Sequence, residues 1–236
     1  MSESRYLERG ERILDAAAEL VLRWGYRRVT IDEVAKLAGI GKGTVYLHFK
    51  TREALFLAVL IRDSLGLFDQ MIAAIQADPA ELLPHRQARR VYLGVMGRPL
   101  LRAMFSRDSD VLGALAHETS IARLTEMKLD LTGELYGLLR EHGLVRTDLD
   151  IPAQQYALGA IQTGFYLVDP MMAGKHELDL ESRADALATV IRNCVEVAGT
   201  PDPDLLRALA SKIIALFEQL RLVMVAGMHG TPPKGD

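Results

Sequence analysis

Residues 30–50, with the sequence TIDEVAKLAGIGKGTVYLHFK, contain two short helical patterns separated by a glycine-rich turn. Thr30 followed by Glu33 three positions later is a capping box, which predicts that the first short helix begins directly after Thr30. Apolar residues then recur at helical spacing until Gly39, a residue type that commonly ends helices. This arrangement restricts the region to two short helices joined by a tight turn.

The second short helix is predicted over residues 42–49. Val45 and Phe49 lie one helical turn apart, so both are expected to face the protein interior. Two short helices joined by a glycine-containing turn and packed on a preceding helix predict a helix-turn-helix, whose second helix enters the DNA major groove. The polar residues expected on the exposed side of this helix are Lys42, Thr44, Tyr46 and His48, with Gly43 allowing close backbone approach.

A loop that binds nucleotide phosphates is the alternative interpretation of this glycine-rich stretch. The spacing of its residues does not match the known motifs of such loops. A Walker A loop needs Ser or Thr directly after Gly-Lys, but Gly43 follows Gly41 and Lys42. In the dinucleotide fingerprint, Thr44 takes the third glycine position. Both motifs also require a preceding β-strand, whereas the preceding residues have a helical pattern.

Helical spacing recurs along the rest of the chain, while alternating strand patterns are absent, so the fold class is predicted to be all-α. Long helices are expected from Thr51 to about residue 75, over 117–142 and over 152–168, with two more before the end of the chain. The helix before the helix-turn-helix is predicted to end at Gly25. Its predicted buried face comprises Ile13, Ala17, Leu20, Val21 and Trp24.

Charge is distributed unevenly. Residues 1–52 carry ten Lys and Arg against seven Asp and Glu, and the remainder carries eighteen against twenty-four. A basic N-terminal segment followed by an acidic remainder is typical of a DNA-binding segment joined to a domain that does not bind DNA. The single Cys194 permits no internal disulfide, and no apolar run is long enough to span a membrane. We therefore expect a cytoplasmic protein.

Three segments are predicted from these patterns. Residues 1–52 form the helix-turn-helix DNA-binding domain, and residues 53–228 form a larger helical bundle. Residues 229–236, which are rich in Gly and Pro, are expected to be a disordered tail.

The stretch GYRRVTIDEVAKLAGIGKGTVYLHFKTREALF resembles the N-terminal DNA-binding region of the TetR family of bacterial transcriptional regulators. The resemblance covers about residues 8–56. It implies a homodimer that binds double-stranded operator DNA, represses transcription and leaves the DNA when a small molecule binds. Because two-fold symmetry doubles the readout of one short helix, the operator is expected to be palindromic.

The DNA-binding residues implied by the resemblance agree with their chemistry. Thr30 can hold a phosphate at a helix N-terminus, and Lys42 can reach a phosphate or a guanine edge. Lys50 is expected beside the phosphate backbone. His48 has the alternative of a histidine hydrogen-bonded within the fold. The predicted DNA-binding residues are Thr30, Lys42, Gly43, Thr44, Tyr46, His48 and Lys50.

The same resemblance implies an effector pocket enclosed by the helices of the larger domain. Met and aromatic side chains adapt to irregular ligands, but in most proteins such residues belong to the core. No charge pattern favours an anionic or a cationic ligand, and neither a cofactor nor a metal is expected. The candidate pocket residues are Phe68, Met71, Tyr92, Met96, Phe105, His117, Met127, Gln162, Phe165 and Tyr166.

The helix over 152–168 carries a stripe of small residues that could face either a partner subunit or the core. The stripe comprises Ala153, Ala157, Ala160 and Gly164. A helical enzyme and a protein-docking module carrying a helix-turn-helix remain alternatives to a regulator. The absence of G-x-S-x-G and H-E-x-x-H motifs disfavours the enzyme.

Overall fold

The protein is described by a computed structural model for residues 3–106, 119–172 and 178–228. Within these ranges the chain forms ten α-helices and two short 3₁₀ helices, Tyr26–Arg28 and Pro79–Leu82, and it contains no regular strand. The predicted all-α class is confirmed. The helices are α1 Glu3–Trp24, α2 Ile31–Ala38, α3 Lys42–His48, α4 Arg52–Ala77, α5 Pro84–Met96, α6 Pro99–Phe105, α7 Thr119–Glu141, α8 Ile151–Met172, α9 Leu180–Val195 and α10 Pro203–Met228.

Two compact units divide the described residues. The first comprises residues 3–65, 99–106, 119–123 and 222–228, and the second comprises 66–98, 124–172 and 178–221. The units therefore each draw on separated stretches of sequence, and helix α4 supplies residues to both. The prediction of a functional DNA-binding domain over residues 1–52 stays a prediction. So does the disordered tail, because residues 229–236 lie outside the described ranges.

In the first unit, α2 has the termini that the sequence predicts. Thr30 and Glu33 form both halves of the capping box. At the other end Gly39 adopts φ 67°, a left-handed conformation that costs glycine little, and its N–H closes the last turn of the helix. The apolar face of α2 is buried, as predicted, through Ile31, Val34, Ala35 and Ala38.

Helix α1 forms the other side of this small core and ends before Gly25, as predicted. Ile13, Ala17, Leu20 and Val21 are each at most 4% exposed. The prediction for Trp24 is wrong, because its side chain is 44% exposed. Trp24 is the last residue of α1, and the chain turns away at Gly25, where φ is 74°. No neighbouring turn of helix therefore covers the indole.

In the second unit, side-by-side packing of α5 and α9 forms the centre of the bundle. Tyr92 of α5 and Leu187 and Ile191 of α9 have no exposed surface. Glu196, directly after α9, accepts a hydrogen bond from the backbone N–H of His85 at 2.7 Å and lies 2.7 Å from His85 Nδ1. This carboxylate caps the start of α5, which has no side-chain cap of its own.

The Asp150 carboxylate caps the start of helix α8, because it accepts a hydrogen bond from the Ala153 N–H at 2.8 Å. The small-residue stripe on this helix is not buried within the chain. Ala153, Ala160 and Gly164 are exposed, and Ala157 is half-buried. Among residues 3–106, 119–172 and 178–228, no helix combines the length and apolar composition needed to cross a bilayer.

Candidate DNA-binding surface

The turn between α2 and α3 fixes which side of α3 faces outward. Ile40 N–H donates to the Ala35 carbonyl at 3.0 Å, and Thr44 N–H donates to the Gly41 carbonyl at 2.9 Å. Val45 is fully buried, so the opposite side of α3 projects from the unit. Lys42, Gly43, Tyr46 and Leu47 are exposed there, and Thr44 is half-exposed.

Thr30 is exposed, but its side chain is already engaged. Its Oγ1 accepts from the Glu33 N–H at 3.3 Å and donates to the Glu33 carboxylate at 2.9 Å. The Thr30 N–H donates to the same carboxylate at 2.8 Å. A phosphate bound at this helix N-terminus would therefore compete with Glu33 for the Thr30 donors.

Lys42 also has an acidic neighbour. Its Nζ lies 2.7 Å from Asp32 Oδ2, and both side chains are largely exposed. The hydrogen bond and the negative charge of Asp32 raise the pKa of Lys42 above its usual value. Lys42 is thus positively charged and exposed, and the Asp32 carboxylate lies next to it, where DNA phosphates would approach.

His48 does not lie on the exposed side of α3, and the prediction of its exposure is wrong. The side chain is 7% exposed, and its ring stacks on Tyr6 of α1 with ring centroids 4.0 Å apart. Gly10 lies beside this ring, where a Cβ would be in ordinary van der Waals contact with His48 Nδ1 at 3.5 Å. His48 follows Val45 by three positions, so helical spacing alone could have assigned it to the buried side.

Two exposed arginines, Arg27 and Arg28, extend the basic character of this surface. They lie in the 3₁₀ helix that leads into the Thr30 cap. They were not among the predicted DNA-binding residues, although two adjacent arginines just before the Thr30 capping box were a usable signal. Lys50, which was selected, is exposed just beyond α3.

The predicted effector residues are only partly brought together. In the second unit Tyr92 stacks on Tyr166 at 5.6 Å and meets Phe165 edge-on at 6.3 Å, so these three form one aromatic cluster. Phe68 packs edge-on against Phe217 at 5.9 Å. Burial raises the pKa of Tyr166. The Tyr166 phenol is therefore neutral at physiological pH.

The other candidate residues for the effector pocket do not form one cluster. Met71 is buried, while Met96, Met127 and Gln162 are half-buried in the second unit. Phe105 belongs to the first unit, and its place in the effector pocket stays a prediction. His117 lies outside the described residues.

Lys128 on α7 gives a pH-dependent prediction. Burial lowers its pKa to about 8 from 10.5. Between these values the unfolded chain binds more protons than the folded chain, so the free energy of unfolding should rise with pH over this range. We expect a gain on the order of 1–3 kcal/mol from pH 7 to pH 10. Denaturant unfolding of the wild type and of Lys128→Met, compared at each pH, isolates this contribution.

In Lys128→Met the rise in the free energy of unfolding with pH should be absent. It should persist in Lys212→Met, which changes an exposed lysine on α10. Equal pH profiles for the wild type and Lys128→Met would contradict the assignment.

The arrangement of α2 and α3 defines a helix-turn-helix DNA-binding protein, with a capped first helix, a glycine turn and an exposed second helix. Residues 13–59 match the family described as bacterial regulatory proteins, tetR family. The N-terminal region of the chain is therefore similar to the DNA-binding region of the TetR family over these residues. The matched family consists of regulatory proteins, which supports the prediction of a regulator over an enzyme.

Two curated relatives differ in how much of the chain they match. The chain is 48% identical over 50 residues to the uncharacterized HTH-type transcriptional regulator YhgD of Bacillus subtilis, covering 21% of the chain and 26% of that protein. It is 29% identical over 129 residues to the HTH-type transcriptional regulator RutR of Escherichia coli, covering 55% and 56%. The matches thus span from a quarter to about half of these relatives.

Among solved structures, the fold is similar to that of the transcriptional regulator FadR from Bacillus subtilis in complex with stearoyl-CoA. The TM-score is 0.59 at 20% identity, over 77% of this chain and 96% of that chain. This likeness supports the all-α architecture beyond the helix-turn-helix.

Proposed function

We propose that the protein is a cytoplasmic transcriptional repressor that binds a palindromic operator as a homodimer and is released by a small, largely apolar ligand. The observation that carries this proposal is the exposed side of α3, where Lys42 and Tyr46 project beside the basic residues that precede α2 and follow α3. This is the helix that enters the major groove in a helix-turn-helix.

The exposed residues divide by their chemistry into two groups. Lys50, Arg27 and Arg28 carry charges suited to the phosphate backbone, where contacts position a protein without reading sequence. Tyr46, which is 41% exposed, and Thr44 can contact phosphates or thymine methyl groups. We assign no direct DNA contact to His48, because its ring is buried against α1.

The homodimer is supported by the exposed face of α8. Tyr156 is 81% exposed and Leu167 is 41% exposed, and they lie on the same side of the helix as Ala153, Ala160 and Gly164. Large apolar side chains flanked by small residues suit close packing against another helix. We propose that this face of α8 packs against the partner subunit.

The effector site is proposed at the aromatic cluster of Tyr92, Phe165 and Tyr166. Aromatic walls with a few hydroxyl groups suit a ligand that is apolar over most of its surface. The FadR structure holds stearoyl-CoA, a ligand with a long apolar chain. A related ligand class is therefore a reasonable first choice for screening this protein.

The direct test is fluorescence anisotropy with labelled DNA from immediately upstream of the gene, in excess unlabelled competitor DNA. Specific binding should be lost in the double variant Lys42→Ala/Tyr46→Ala and kept in Lys212→Ala, because Lys212 lies outside the helix-turn-helix. Absence of sequence-specific binding by the wild type would overturn the proposal and favour a protein-docking role for the N-terminal domain.

Lys50→Ala should weaken binding to all DNA sequences alike. A phosphate contact releases condensed counterions, so its loss should reduce the slope of log affinity against log salt by about one. Titrations at four salt concentrations measure the slope, with Lys212→Ala as the charge-matched control. An unchanged slope in Lys50→Ala would remove Lys50 from the set of phosphate contacts.

Asp32→Asn should strengthen DNA binding. The substitution frees Lys42 from a partner 2.7 Å away and removes a negative charge from the surface that faces the phosphates. Because exposed ion pairs are weak, we expect an increase in affinity of up to about fivefold. Anisotropy titrations at one fixed salt concentration measure the change.

Glu19→Gln is the matched control, since it breaks the exposed pair between Glu19 and Arg23 on α1 and changes the net charge equally. Weaker binding by Asp32→Asn would mean that Asp32 itself contacts the DNA, for example by accepting from a cytosine amino group.

A further inference from the structure

A large groove of the second unit lies along α5 and α9, and its lining contains none of the predicted effector residues. It has a volume of about 1000 Å³, and five arginines line it: Arg86, Arg89, Arg90, Arg98 and Arg192. Its walls contain few apolar side chains, and none of the ten predicted effector residues is among them. A ligand for this groove would therefore be recognised mainly by charge.

Three of the arginines are fixed by carboxylates. Arg86 lies 2.6 Å from Asp78, and Arg90 lies 2.7 Å from Glu81. Arg89 lies 2.6 Å from Asp185 and 2.5 Å from Glu181. The positive charges of these three side chains are consequently balanced within the protein.

Arg98 and Arg192 are different. Among the described residues, neither has a carboxylate within ion-pairing distance. Arg98 is nevertheless held in place, because its Nη1 donates to the Gly94 carbonyl at 2.8 Å. Gly94 has no side chain to displace the guanidinium, since a Cβ there would lie 3.2 Å from Nη1. Most of the Arg98 donors remain available to the groove.

Arg192 lies at the rim, where it also lines the two neighbouring grooves. A planar guanidinium presents a fork of N–H donors that matches the oxygens of a phosphate or carboxylate. The groove thus contains two guanidinium groups without a carboxylate partner among the described residues, next to three arginines that are paired. This arrangement favours an oxyanion over a neutral or cationic ligand.

We propose that this groove is a binding site for an oxyanion, namely the phosphate group of a small molecule or inorganic phosphate itself, held by Arg98 and Arg192. The site is separate from the DNA-binding surface and from the aromatic cluster, so the proposal does not depend on the proposed function. A carboxylate ligand shares this chemistry, and separate titrations with a phosphate and with a carboxylate distinguish the two ligand classes.

The test is isothermal titration of the full-length protein with pyrophosphate, and separately with citrate, at constant ionic strength. We expect pyrophosphate to bind more tightly than citrate. Arg98→Gln/Arg192→Gln should weaken pyrophosphate binding at least tenfold. Arg192→Gln alone should weaken it about threefold, and its loss removes no contact among the described residues that folding would need.

Two control variants separate this site from other cationic surfaces. Arg23→Gln/Lys212→Gln removes two exposed positive charges elsewhere and should bind pyrophosphate as the wild type does. Lys42→Gln/Lys50→Gln, on the DNA-binding surface, should also bind normally. The proposal is overturned if the wild type shows no pyrophosphate binding, if citrate binds more tightly, if the groove variants bind normally, or if Lys42→Gln/Lys50→Gln abolishes binding.

Discussion

Tyr156→Arg is expected to convert the homodimer into monomers and to weaken operator binding by more than about 100-fold. Tyr156 is 81% exposed in the single chain, and it lies at the centre of the apolar face of α8. At the proposed interface the arginine would bring a charge next to its own symmetry copy, without an acidic partner. Loss of the second half-site would remove a large share of the specific binding energy.

Light scattering measures the first effect, with about 26.1 kDa expected for the variant and twice that mass for the wild type. Anisotropy with operator DNA measures the second. Leu178→Arg is the matched control, because Leu178 is 57% exposed and lies outside the helices. A dimeric Tyr156→Arg protein with normal operator affinity would exclude this face of α8 as the interface.

Phe217→Ala is expected to reduce the free energy of unfolding by about 3–5 kcal/mol. The Phe217 side chain is 2% exposed, and its ring meets Phe68 edge-on at 5.9 Å. Truncation removes the apolar surface, leaves a cavity and loses the ring-to-ring contact. Urea unfolding followed by circular dichroism measures the loss as a lower midpoint.

Glu218→Ala serves as the control, since the neighbouring side chain on α10 is exposed and its loss should change stability by less than about 0.5 kcal/mol. If Phe217→Ala unfolds at the wild-type midpoint, the packing of α10 against α4 at this point is not a stabilising contact.

The sequence was most informative where structure depends on neighbouring residues. The Thr30–Glu33 cap, the Gly39 terminus and the burial of Val45 all follow from local rules of helix formation, and all are confirmed. The Asp150 cap of α8 was predictable for the same reason. These features depend on spacings of a few residues, which a single sequence displays directly.

Features that depend on distant residues were harder to predict. Burial of His48 depends on packing against Tyr6, about forty positions earlier in the chain. The arginine-lined groove requires α5 and α9 to pack together, although about ninety residues separate them. Apolar spacing identifies the buried side of each helix, but it does not specify which helices meet.

The two acidic contacts on the DNA-binding surface have a further consequence for how the protein meets DNA. Glu33 accepts hydrogen bonds from Thr30, and Asp32 pairs with Lys42, so these two carboxylates already occupy donors that are expected to meet phosphates. Association with DNA then becomes an exchange of one anion for another. Each exchange returns a carboxylate to water, which lowers the net gain from a contact with any phosphate. Such a surface would bind random DNA with low affinity, and stable binding at one site would depend on contacts to the bases.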